Sequence, residues 1–136
     1  MRPDHPLARR GEVHLEDVFE YPLILFDNTM ASGPILEDML ERSGRPPIRA
    51  VATNSVTILK AMVSEGTGIS IVAPIDVFSE VRAGSLCFRP LRGARMFEPL
   101  SVAARDAKAL NPTTRDFARI IASTLDDLSP YTADAS

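Results

Sequence analysis

At 136 residues the chain falls just under the roughly 150 residues of an average domain, so it has material for one hydrophobic core and not for two. Apolar residues make up 45%, and 15 basic against 18 acidic residues leave a net charge of −3, a globular balance without the positive field that a nucleic-acid backbone selects. One cysteine and two histidines exclude an internal disulfide and cannot complete a structural zinc site.

Taken in chain order, the sequence alternates short apolar runs with segments of helical spacing. A helical turn over Leu15 to Phe19 leads into Tyr21 to Phe26, a continuous apolar run suited to a buried parallel strand, with Pro22 tolerated near its start. After the polar stretch Asp27 to Ser32, Ile35, Leu36, Met39 and Leu40 recur at helix spacing, with Pro34 fit for the first turn and Gly44 for the stop. Ile48 to Ala52 predicts a second strand. Thr53, Asn54 and Ser55 supply capping groups for a helix with Val56, Leu59, Met62 and Val63 on one face, ending at Gly66. A third strand is expected at Ile69 to Val72, then a short helix capped by Asp76 and stopped by Gly84, then a brief strand at Leu86 to Arg89. This β-α-β-α-β-α-β order predicts an open, mostly parallel sheet with helices on both faces. Gly93 to Glu98 then reads as a connector and Pro99 to Arg105 as a strand. Asn111 caps a closing helix whose buried face would be Phe117, Ile120, Ile121, Leu125 and Leu128. That strand and helix cannot bury their own apolar surface, which calls for partners outside the pattern. Tyr131 to Ser136 reads as a frayed end.

In such a sheet ligands bind beyond the carboxyl ends of the strands, where helix N-termini present free amide donors. Three such ends carry polar or turn residues: Asp27, Asn28 and Thr29; Thr53, Asn54 and Ser55; and Pro74 and Ile75. They form one candidate site for a small polar or carboxylated molecule, although the same residue types cap helices and make turns in proteins that bind nothing there. Gly66-Thr67-Gly68 follows a helix and precedes a strand, the reverse of a phosphate-binding loop, so Gly66 reads as a helix terminator and Gly68 as room for tight re-entry. His5 and His14 lie far from the strand ends, and no catalytic triad, cofactor motif or metal site is visible. Glu37-Asp38 and Asp126-Asp127 point about 100° apart around a helix and read as solvated faces. Arg89, Arg92 and Arg95 read as solubilising, and Cys87 as a structural thiol. The longest apolar runs fall well short of the about 18 residues of a membrane span, so the expectation is a cytoplasmic protein.

Several segments together resemble the effector-binding domain of LysR-type transcriptional regulators: HPLARRGEVHLEDV at 5–18, YPLILF at 21–26, NSVTILKAMVSEGTGISIVAP at 54–74, and LNPTTRDFARII at 110–121. The third is the most specific, in its order and spacing of helix, glycine pair, apolar run and proline. The resemblance implies one half of a type II periplasmic-binding-protein-like fold. Residues 1–92 would be the second α/β subdomain, 93–130 the returning strand and helix of the first, and 131–136 a tail. It further implies an effector held by the loops at 27–29, 53–55 and 74–75, a homo-oligomer, no cofactor, and contact with DNA only through a winged helix-turn-helix not in this sequence. A periplasmic-type solute-binding protein and a small flavodoxin-like enzyme share the pattern of elements, and a nonfunctional remnant of a regulator is a third alternative.

Overall fold

In the computed structural model the described residues are 1–93 and 111–126. A 3-10 turn over Pro6–Arg9 precedes β1 (Val13–His14), α1 (Leu15–Val18), β2 (Leu23–Phe26), α2 (Ser32–Arg42), β3 (Arg49–Thr53), α3 (Val56–Ser64), α4 (Pro74–Arg82), β4 (Leu91–Arg92) and α5 (Pro112–Asp126). All four residues of β2 are buried. Because alternate side chains of a strand point to opposite faces, both faces of β2 are covered, as its unbroken apolar run predicts. Leu36, Met39 and Leu40 of α2 and Leu59 and Val63 of α3 join it in the core, and both helices pack on β2.

β2 is also the middle of its layer. It pairs in parallel with β3, Phe26 standing opposite Thr53, and on its other edge Leu23 bridges Ile69, again in parallel. Its amide groups alternate accordingly: Leu23 N–H donates to Ile48 O at 2.7 Å and Asp27 N–H to Thr53 O at 3.0 Å, whereas Ile24 N–H turns to Ile69 O at 2.9 Å. Two glycines make the close approaches. A Cβ on Gly68 would stand 2.3 Å from Pro22 O, so only glycine lets the chain re-enter beside β2, and Gly66 ends α3 at φ 80°.

The expected third strand, Ile69 to Val72, is reduced to that single bridge at Ile69, and among the described residues no further strand pairs with it. The expected strand at Leu86 to Arg89 does not form. Cys87 instead exchanges two backbone hydrogen bonds with Met1, 2.8 and 3.2 Å, and the next ladder falls at β4, paired in parallel with β1. Pro90 cannot donate to a ladder, but its carbonyl accepts from Val13 N–H at 3.0 Å and starts that pairing. Asp76 is not the N-cap of α4: Ala73 is, with Pro74 in the first turn. Asp76 sits three residues on, in the first turn, where its N–H donates to Ala73 O at 3.1 Å. Asn111 does cap α5, accepting from Thr114 N–H at 2.8 Å. The apolar face of α5, expected to need partners outside the pattern, is exposed at Phe117 (62%) and Ile120 (60%). The expected connector beyond Gly93, the strand at 99–105, Leu128 and the tail at 131–136 lie outside the described residues, as does the side chain of Leu125.

Candidate functional site

Parallel pairing brings the first two polar loops together. Phe26 opposite Thr53 ends both strands at one level, and the Asp27 N–H to Thr53 O bond joins the loops directly. The first two loops therefore share one rim at that edge; Pro74 and Ile75 open α4, beginning five residues on from the Ile69 bridge. Gly33 holds the first loop tight against α2: a Cβ there would stand 2.0 Å from Asp27 O, so the helix starts directly on that carbonyl.

Within the rim several groups are occupied by the fold itself. Asp27 Oδ1 accepts from Thr29 N–H at 2.9 Å and from Thr29 Oγ1–H at 2.6 Å, and these bonds hold its carboxyl below the usual range, ionised at neutral pH. Thr53 Oγ1 accepts from Ser55 N–H at 3.2 Å, and Ser55 Oγ caps α3 by accepting from Ile58 N–H at 3.3 Å. The capping reading of Thr53 and Ser55 thus describes their bonds, though each hydroxyl proton stays available for another acceptor. Asn28 and Asn54 are exposed and have no side-chain partner among the described residues. Ile75 is 49% exposed and Pro74 half-buried. Asp76 is pushed up by burial, opposed by its bond with the Ala73 backbone and by Lys60. Lys60 Nζ is 2.7 Å from Glu80, which ties α3 to α4.

Other features lie away from this rim. An apolar cavity of about 80 Å³ runs between Ile69–Val72 and Leu86–Leu91, and on its wall the buried Ser70 Oγ has no hydrogen-bond partner. A more polar depression of about 410 Å³ opens at the amino ends of the strands, between Arg2–His5, Tyr21–Pro22 and Glu65–Gly68. His5 is a structural residue: its Nδ1 accepts from Leu7 N–H at 3.2 Å and its ring meets Tyr21 edge-on at 4.5 Å. No group of three or more potential metal ligands occurs among the described residues, and no helix there is long and apolar enough to cross a membrane.

One sequence reading of charge is corrected. Arg89 is a clamp and not a solubilising group: its guanidinium donates to Arg10 O at 2.6 Å, Ala8 O at 2.7 Å and Phe88 O at 2.8 Å. Arg92 donates to Glu12 at 2.8 Å. Glu37 and Asp38 lie on the solvated face expected of them, in surface ion pairs with Arg49 at 2.6 Å and Arg42 at 3.0 Å. Arg95 and Asp127 lie outside the described residues. Cys87 is half-buried in the segment paired with Met1 and is not in a strand.

A parallel α/β layer with its polar loops on one carboxyl-end rim is the architecture of half a periplasmic-binding-like domain. Residues 1–126 match the family model described as the LysR substrate binding domain, and the chain belongs to that family. Over 72 residues it is 32% identical to the HTH-type transcriptional regulator CysB of Burkholderia cenocepacia, covering 53% of this chain and 23% of that protein. Over 128 residues it is 22% identical to the transcriptional dual regulator GltC of Bacillus subtilis, covering 94% of this chain and 42% of that protein. The chain thus spans less than half the length of either regulator. Among solved structures it is similar to the effector binding domain of QuiR in complex with shikimate, with 26% identity, a TM-score of 0.50, and coverage of 53% of this chain and 34% of that one.

Proposed function

We propose that this chain is the effector-sensing part of a transcriptional regulator and that the rim at 27–29, 53–55 and 74–75 is one lip of the cleft that holds a small polar metabolite. The observation that carries the reading is the direct junction of the first two loops, Asp27 N–H on Thr53 O at 3.0 Å, at the carboxyl edge of a parallel layer in a LysR substrate-binding family member. The shikimate bound by the similar QuiR domain, a small hydroxylated acid, is of a size and polarity that such a lip serves. The protein acts by binding and not by bond chemistry. Effector closing the cleft favours one arrangement of a cytoplasmic homo-oligomer, and a DNA-binding domain of the intact regulator reports it. A stabilising ligand found in a metabolite screen by thermal shift tests the proposal. Replacing Thr53 and Asn54 together by Ala should abolish most of the shift, and an undiminished shift would remove the rim as the site.

A further inference from the structure

The charge of the rim points to which end of the effector it receives. Residues 27–32, 53–56 and 73–76 contain no lysine, arginine or histidine, but they contain Asp27 and Asp76. Cations on neighbouring elements are engaged elsewhere: Lys60 with Glu80, Arg49 with Glu37, and Arg42 with Asp38. The N-termini of α2 and α4, which would otherwise favour an anion, each have a carboxylate of the chain beside them, Asp27 in the turn before α2 and Asp76 in the first turn of α4. Asp76 is half-buried in the first turn of α4. Asp27 stands at the junction of the first two loops: both Thr29 bonds fall on Oδ1, and Oδ2 accepts nothing from the described residues. A carboxylate oriented by one oxygen and open at the other is a fixed acceptor at that junction.

We propose, resting on the effector-site reading above, that Asp27 is a specificity-determining residue and that this lip receives a hydrogen-bond-donating end of the effector, an ammonium or hydroxyl group bonded to Asp27 Oδ2. An effector carboxylate, where there is one, is held away from this lip. Asn28 and Asn54, both exposed beside Asp27, supply neutral amide groups to the same end of the ligand.

The test uses glucosamine (hydroxyls and an ammonium), myo-inositol (hydroxyls alone) and succinate (carboxylates alone) as probes, titrated into the protein by isothermal calorimetry or NMR. The expected order is glucosamine and inositol above succinate. Asp27→Asn retains an oxygen for Thr29 and leaves the unliganded melting temperature in place, but it should weaken glucosamine about tenfold or more, the scale of a charge-assisted hydrogen bond, and inositol by less. Equal weakening of both assigns the donor as hydroxyl, and selective weakening of glucosamine assigns it as ammonium; each supports the proposal. Succinate binding to the unaltered protein as tightly as either donor probe, and weakened by Thr53→Ala with Asn54→Ala, overturns the donor assignment while the rim survives as the site. Failure of both donor probes to bind at millimolar concentration also counts against it. Binding that Thr53→Ala with Asn54→Ala does not change removes the site reading as well.

Discussion

Replacing Arg89 by Met keeps the apolar stem and deletes the clamp between the amino-terminal turn and the segment leading to β4. The guanidinium spans about 80 residues of sequence, reaching Ala8 O and Arg10 O at 2.7 and 2.6 Å, with Phe88 O as a third, local acceptor. A hydrogen bond to a charged group contributes about 1.5–3 kcal/mol, but the bond to Phe88 is between neighbours and the Arg10 carbonyl can rehydrate. The net loss worked from these contacts is therefore about 2–3 kcal/mol. For a chain of this size that lowers the melting temperature by about 6–12 °C. Urea unfolding of the two proteins measures it, with the midpoint moving and the slope unchanged. Arg89→Lys, a point donor that cannot span the three carbonyls, should recover less than half of the loss. A change below about 0.5 kcal/mol in Arg89→Met, the range of an ordinary surface substitution, would refute the clamp.

Gly33→Ala drives a Cβ to 2.0 Å from Asp27 O, so it should cost about 3 kcal/mol or more in denaturation and displace the Asp27 loop from the rim. Burial lowers the His5 pKa, so the unfolded chain takes up the proton first. Stability should fall as pH drops below about 6.5 and level off beneath the folded value, and His5→Asn, which keeps an acceptor for Leu7 N–H, should flatten that slope in melting temperature against pH. Asp76 behaves in the opposite sense: its raised pKa means the folded form holds the proton longer, so its ionisation costs stability as pH rises through the folded value. Asp76→Asn should therefore melt higher than wild type at neutral pH, with the difference closing in acid. The exposed Phe117 and Ile120 predict self-association of the isolated chain, and sedimentation velocity should show the species shift toward monomer in Phe117→Ser with Ile120→Ser.

What the sequence made legible was whatever one face of one element determines. The unbroken YPLILF run marked a central buried strand, and the spacing of Leu36, Met39, Leu40, Leu59 and Val63 marked the helix faces that cover it. Gly66 and Gly68 were readable because their reasons, a left-handed helix end and a close backbone approach, are local. Lost were features set by distant chain. The Arg89 clamp joins positions some eighty residues apart, and two-residue strands such as β1 and β4 carry no periodic signal. The junction of the loops after β2 and β3 was legible because parallel strands place their following loops together, but the bonding inside it was not: sequence shows an Asp and a Thr two residues apart, and geometry shows which oxygen of Asp27 is spent.

The central claim, that the loops at 27–29, 53–55 and 74–75 act as one binding lip, is tested most directly by residue-resolved NMR of the protein with a stabilising metabolite. Amide shifts should concentrate in residues 27–32, 53–56 and 73–76 and titrate with one dissociation constant. Shifts concentrated instead around Arg2–His5 and Glu65–Gly68, or along the apolar cavity beside Ser70, would contradict it.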